Sequence, residues 1–315
     1  MILITGGMGF IGLHTARRFL DAGENVVVTL FQTRREPDFI KDKIGKRVFV
    51  ERVDVTSAHD MIEVARKHKV TGVVHLAVPG LAALTPAEDY RTNMIGLINV
   101  LEAARIAEVP RVTFASSLTV YAGVTEGPFR EDALLPIPTA NPTEAFKKAW
   151  EILGLHYGAR TGMEVVAGRA ATIWGPLYHT LANLPSRVCH AAAKGVPVDF
   201  TGSRGGQPHA DDVGDLTYVK DCALGLFLLQ TAKTLPSRIY NIGSGVPHTN
   251  RDLVQAARQV VPTLEVDLLP GLSPRARPNG YVDTTRITQD VGYKPEYTLD
   301  RAVAEYIDWV RKNPF

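Results

Sequence analysis

Residues 1–20 read MILITGGMGFIGLHTARRFL, and the change of character at Thr5 decides the fold. A short apolar run suited to a buried strand passes directly into TGGMGFIG, where Gly6, Gly9 and Gly12 recur in a G-x-x-G-x-x-G spacing, and then into a helical pattern. Glycine lets the backbone turn tightly and approach a pyrophosphate, whose charge meets the exposed N–H groups and positive end of the following helix. A glycine triplet alone carries little information. Placed between the first strand and the first helix of a βαβ unit, it reads as a dinucleotide-binding loop rather than a ligand-free turn.

Outward from this loop, the chain to about residue 175 alternates β-branched runs with helical patterns. NVVVTLF, RVFVERVDV, TGVVHLA, RVTFASS and MEVVAGRAATIW read as strands; AHDMIEVARKH, NMIGLINVLEAARIA and EAFKKAWEILGLHYGAR read as helices. The strands are apolar on both faces, as buried parallel strands must be, and the alternation predicts an α/β, Rossmann-type doubly wound parallel sheet. After Trp174 the regularity breaks into Pro- and Gly-punctuated segments. The reading is a dinucleotide-binding domain over 1–175, with 217–243 returning to it, and a smaller, mainly substrate-binding lobe over 176–315.

The bulk numbers narrow the function. Thirty-five basic and 33 acidic residues leave a formal charge of +2, which offers no footprint for nucleic acid or an anionic membrane. The N-terminus lacks the basic and apolar regions of a signal peptide, and the apolar runs fall short of a membrane span. Cys189 and Cys222 are far apart and without metal-ligand spacing, so they read as core thiols in a reducing compartment, with no metal site. A cytoplasmic protein acting on a small molecule is expected.

A dinucleotide's ribose 2′-hydroxyl calls for an acidic residue about twenty positions beyond the loop. Leu30 stands there, followed by Arg34 and Arg35. With no carboxylate to repel a 2′-phosphate and two arginines to grip it, NADP is favoured over NAD, which remains the alternative.

Taken in register, several motifs resemble the extended short-chain dehydrogenase/reductases, specifically the NAD(P)-dependent epimerase/dehydratase group related to UDP-sugar epimerases. They are TGGMGFIG, VDV (53–55), VVHLA (73–77), NMIGLINVLEAAR (93–105), FASSLTVYAG (114–123), GRAATIWGP (168–176), YVKD (218–221) and YNIGSG (240–245). The resemblance implies that Gly6, Gly9, Phe10, Ile11 and Gly12 hold the dinucleotide, with Asp54 and Val55 at its adenine and Leu76 and Ala77 on the strand that passes it. It also implies a catalytic Ser or Thr after the fourth strand and a Tyr-x-x-x-Lys on the next helix. In that pair the tyrosine exchanges a proton with the substrate, and the lysine lowers its pKa and holds the nicotinamide ribose.

Ser117 matches the hydroxyl residue and Lys147 the lysine, but the tyrosine's place is taken by Thr143. A tyrosine starts near pKa 10 and an adjacent ammonium brings it toward the working range; an aliphatic alcohol is far too weak an acid for that lever. Three readings follow. Another group supplies the proton, Tyr178 and His179 being placed where relatives line the pocket and Tyr121 or Glu144 nearby; the reaction needs less acid help, as in a non-redox lyase or dehydratase; or the site binds cofactor without turnover, as a sensor or degenerate relative. On the substrate side, the arginine that grips a diphosphate in nucleotide-sugar relatives is replaced by Gly214, while Arg204, His209, Arg275 and Arg277 offer alternatives. The family's paired helices also imply a homodimer, with Ile95, Ile98, Phe146 and Trp150 as apolar positions beyond one core-facing stripe.

Overall fold

In the computed structural model, which describes residues 1–31, 37–78, 84–178, 180–203 and 206–313, the first apolar run lies in the middle of a sheet. The strands are β1 (Ile2–Thr5), β2 (Val26–Leu30), β3 (Val48–Arg52), β4 (Gly72–His75), β5 (Arg111–Ser117), β6 (Glu164–Ala170), β7 (Thr172–Trp174), β8 (Val213–Gly214), β9 (Leu216–Tyr218), β10 (Ile239–Ile242) and β11 (His248–Thr249). The helices are α1 (Phe10–Asp21), α2 (Asp38–Lys41), α3 (Ala58–Lys67), α4 (Pro86–Tyr90), α5 (Gly96–Ile106), α6 (Pro142–Thr161), α7 (Leu184–Lys194), α8 (Val219–Thr231), α9 (Asn250–Val260), α10 (Thr285–Val291) and α11 (Leu299–Lys312). Seven strands form a parallel sheet in the order β10-β6-β5-β4-β1-β2-β3. The chain winds outward through β2 and β3, then returns to the other side of β1 at β4, and this reversal opens a crevice at the carboxyl ends of β1 and β4.

Both faces of the sheet are covered, which is why its strands are apolar throughout. Ile2, Ile4, Val26 and Val28 join one core with Leu13 and Phe19 of α1 and Leu226 and Leu229 of α8. The intervening Leu3 and Val27 join the opposite core with Met61 of α3, Leu97 and Leu101 of α5 and Trp150 of α6. This is the period-two alternation of a strand sandwiched between helix layers. A third core gathers Trp174, Tyr218 and the inner faces of α7, α9 and α11. At the amino edge of the sheet, the buried Arg111 pairs with Glu164 and donates to the carbonyls of Leu229 and Ala232 at the end of α8, a cation on a helix carboxyl terminus. No helix of the described residues is long and apolar enough to cross a membrane.

Two elements depart from the sequence expectation. MEVVAGRAATIW is not one strand: Ala171 N–H bonds Ile242 O, then Thr172 N–H turns to Asp215 O, so the chain leaves the main sheet and β7 pairs with β9. The helix expected over 93–105 begins earlier, as α4, and runs through a π turn at Arg91–Ile95 before α5. Inside that turn the Asn93 carbonyl accepts the Trp150 indole N–H at 2.9 Å, the kind of side-chain insertion that stabilises a widened turn.

Candidate active site at the carboxyl edge of the sheet

The glycine loop is held from two sides. Gly6 N–H donates to Thr29 Oγ1 at 3.0 Å and Met8 N–H to Thr29 O at 3.2 Å, tying the loop to the end of β2. Gly6 has φ +65°, and a Cβ there would lie 3.0 Å from the Ala77 backbone; on Gly12 it would stand 2.4 Å from Gly6 O. The loop is thus closed against the segment after β4 with no space for side chains. Helix α1 starts at Gly9 without a side-chain cap, so the N–H groups of Phe10, Ile11 and Gly12, which a helix start leaves without intrahelical acceptors, are available to an anion. These features fit the pyrophosphate of a dinucleotide.

Thr5, at the end of β1, organises the neighbouring strand end. Its Oγ1 accepts N–H from Leu76 at 3.2 Å and Ala77 at 3.4 Å and lies 2.6 Å from His75 Nδ1. With two N–H groups donated to it, the hydroxyl gives its own hydrogen to Nδ1, which places the proton of the neutral imidazole on Nε2. Burial pushes the His75 pKa down to about 3, the charge of nearby Lys147 adding to the effect. Its Nε2 has no partner among the described residues, and its ring stacks on Trp150 with centroids 4.5 Å apart.

The remaining positions expected at the cofactor are distributed as follows. Asp54 and Val55 lie just past β3: Asp54 Oδ1 accepts both N–H and Oγ1–H of Thr56 at 2.8 Å, and Val55 is buried, its carbonyl accepting from Asn99. Leu30 ends β2 and pairs in register with Arg52, an exposed cation at the end of β3 that the sequence reading did not single out. Arg34 and Arg35 lie outside the described residues.

Ser117 closes β5, half-buried, its Oγ accepting from Thr119 N–H at 3.2 Å. Thr143 and Lys147 stand one turn apart on α6, whose start is fixed by Asn141 as N-cap, Pro142 behind it and Glu144 bonded to Asn141 and to Ala140 N–H. Thr143 is exposed, while Lys147 is buried beneath it. The Lys147 ammonium donates to Ala115 O at 2.6 Å and lies 3.7 Å from the centre of the Trp150 ring. Burial lowers its pKa to about 7, against an opposing pull from Glu151.

Behind these groups runs a buried polar chain. Ser116 Oγ donates to Glu151 Oε1 at 2.5 Å, and Arg169 grips both Glu151 oxygens, Nη2 to Oε2 at 2.7 Å. Arg169 Nη1 donates to the Tyr121 hydroxyl at 2.8 Å, which donates to Asn241 Oδ1 at 2.8 Å. Each charge is paired and hydrogen-bonded, as burial requires. This corrects one candidate: Tyr121 is fully buried, burial pushes its pKa up to about 12, and its proton is committed to Asn241. Glu144 likewise spends both oxygens on the start of its own helix.

Tyr178 is half-buried with its ring edge-on to Phe10, centroids 5.0 Å apart, which brings it to the glycine loop rather than to α6. His179 and Arg204 lie outside the described residues. His209 is occupied by Pro270 O at 3.1 Å. Gly214 pairs with His248 across β8 and β11, and the adjoining Asp215 is buried, taking bonds from Thr217, Ser244 and the Val282 amide. Arg275 is exposed. Arg277 is half-buried over the Phe129 ring, 4.5 Å from its centre, and donates to Tyr121 O at 3.1 Å. Burial lowers its pKa, with the charge of Glu144 at the start of α6 pulling the other way.

The residues missed by sequence reasoning are Thr5, Thr29, His75, Trp150 and Arg52. The first three are polar residues at the carboxyl ends of otherwise apolar strands, a pattern that marks them as more than packing. Trp150 carried no such signal. It is 0% exposed and bonded into the core, so it is not one of the surface positions expected of a dimer face.

The chain is 29% identical over 331 residues to a UDP-glucose 4-epimerase of Azospirillum brasilense, covering 98% of this chain and 92% of that protein. Among solved structures it resembles the UDP-glucose 4-epimerase of Thermus thermophilus in complex with NAD, at 25% identity, 99% coverage of both chains and a TM-score of 0.79. It also resembles MoeE5 in complex with UDP-glucuronic acid and NAD, at 26% identity, 99% coverage of both chains and a TM-score of 0.79. The model of the NAD dependent epimerase/dehydratase family matches residues 2–243, and the chain belongs to that family.

Proposed function

We propose that this epimerase/dehydratase-family chain is a nicotinamide-dinucleotide-dependent oxidoreductase or epimerase acting on a hydroxyl or carbonyl of a sugar-like substrate. A bound dinucleotide supplies the hydride acceptor or donor; the chain's own residues hold it, orient the substrate and handle the proton. The carrying observation is the closed glycine cradle at the start of α1 beside the Ser117, Thr143 and Lys147 groups at the same edge of the sheet. Residues 1–175 with 217–243 are taken as the dinucleotide-binding part and 176–315 as mainly substrate-binding. With Gly214 where nucleotide-sugar relatives carry an arginine, Arg277, half-buried over the Phe129 ring, is proposed among the described residues as the cation for an anionic part of the substrate.

For the cofactor, NADP is proposed to bind more tightly than NAD. Leu30 and Phe31 place no carboxylate at the end of β2, and Arg52 stands across from Leu30, so a 2′-phosphate meets cations without repulsion. Calorimetric titration tests both claims: NADP is expected to bind several-fold more tightly, with Arg34→Ala or Arg52→Ala narrowing the gap. Equal affinities, or tighter NAD, would place the arginines in solvent.

A homodimer is proposed through α5, the π turn before it and α6; α5 and α6 pack side by side, and this face leaves Ile95, Ile98, Ile152 and Leu153 exposed. Cys189 and Cys222 are both free thiols, which accords with the proposed reducing, cytoplasmic setting.

A further inference from the structure

Lys147 sits among groups unlike those around an ion-paired lysine. It is 8% exposed, with Nζ on the Ala115 carbonyl and over the Trp150 indole. The neighbouring carboxylate, Glu151, lies one turn further along α6, and its oxygens are held by Arg169 and Ser116. From β6, Arg169 presents a charge already spent on Glu151. From β4, His75 presents a neutral ring stacked on the same indole. From β5 there is a carbonyl and serine hydroxyls. An ammonium here gains one backbone hydrogen bond and a cation–π contact. Against that stands the desolvation of a buried ion, the larger effect where no carboxylate is free to pair with it. Desolvation wins, and the neutral amine is accessible near neutral pH.

We propose that Lys147 is the proton acceptor and donor of this active site, exchanging its proton with the substrate across the Thr143 hydroxyl, where relatives use a tyrosine. Thr143 stands one helical turn from Lys147 on the same face of α6, exposed at the mouth, and Lys147 Nζ rests on Ala115 O rather than on the Thr143 hydroxyl, so the exchange needs a side-chain rotation that brings the two together. An aliphatic alcohol is too weak an acid to hold the charge itself, but it can give its proton as it receives another. In the oxidising direction the carbinol carbon gives up a hydride, accounted for by the dinucleotide. Its hydroxyl proton passes to Thr143, and the Thr143 proton passes to the Nζ lone pair, leaving a carbonyl and an ammonium. Reduction returns both. An amine that titrates near the working pH suits this task. Trp150 and His75 act as positioning residues, excluding water around Nζ.

The inference rests on the dinucleotide reading but is tested separately from it. Full-length protein labelled with 13C at lysine Cε is titrated by NMR, the Lys147 signal being identified from its loss in Lys147→Arg. NAD binding is measured by calorimetry at about pH 7 in buffers of different ionisation heat. Lys147 is expected to titrate near pH 7, while exposed lysines titrate near about 10.4. NAD, with its cationic ring, is expected to expel a fraction of a proton on binding; NADH should expel less, and Lys147→Met should abolish the effect. Lys147 titrating with the surface lysines, or NAD binding without proton release, overturns the proposal and leaves the dinucleotide reading standing. Failure of both NAD and NADP to bind overturns that reading, and the lysine titration still decides the state of Lys147.

Discussion

Thr143 and His75 show how far one side chain reaches at this edge of the sheet. Exchanging a phenol for an aliphatic hydroxyl removes the group whose acidity an ammonium can tune, so the proton's destination shifts to whatever base lies behind it. His75 supports that base by staying neutral. Its folded pKa is depressed to about 3 from 6.5, so the unfolded chain binds the proton first as pH falls. Its contribution to stability is complete above pH 6.5 and is lost as pH drops toward 3. At about 1.36 kcal/mol per unit this amounts to at most about 5 kcal/mol. His75→Asn is therefore expected to flatten the fall in melting temperature across that window, measured by thermal unfolding at a series of pH values. An unchanged slope would show that His75 is solvated. Gly6, Gly9 and Gly12 were legible in the sequence because only glycine permits that backbone approach. Thr29, His75 and Trp150 were not, because their roles depend on which strand ends the topology brings together.

Among the elements, strands and helices were legible wherever one period dominated. The breaks came where a tertiary hydrogen bond overrode that period. MEVVAGRAATIW carries nothing that marks Ala171 as the point of departure; β10 and Asp215 supply it. The π turn before α5 likewise depends on an indole from α6. These two helices share the proposed dimer face, and there the apolar pattern alone misassigned Trp150 to the surface. Ile98, 43% exposed, belongs to that face. Ile98→Asp is expected to weaken the dimer at least tenfold, since burying an unpaired carboxylate at an interface centre costs about 2 kcal/mol or more. Sedimentation or light scattering at micromolar concentration reads the change; a wild-type monomer would remove the interface altogether.

Across the whole molecule, the doubly wound sheet brings the carboxyl ends of β1, β4 and β5 to one edge, so that the glycine cradle and the Ser117, Thr143 and Lys147 groups lie on the same side of the sheet, with Arg277 donating to Tyr121 O beyond β5. Fold and glycine cradle were visible in the sequence because they rest on local spacing. The substitute for the missing tyrosine was not, because it follows from the burial of Lys147. The central claim is that this site turns over without a tyrosine hydroxyl. Its most direct test follows both the absorbance of reduced nicotinamide and the chromatographic conversion of the sugar to its epimer while the protein is incubated with NADP or NAD and a panel of free, phosphorylated and nucleotide-linked sugars. Wild type and Thr143→Ser are expected to reduce the dinucleotide or to epimerise a sugar, whereas Lys147→Met and Thr143→Val should lose that activity by about a hundredfold or more. A wild-type protein that binds the dinucleotide but neither reduces it nor epimerises any sugar, or a Lys147→Met variant as active as wild type, would contradict the account.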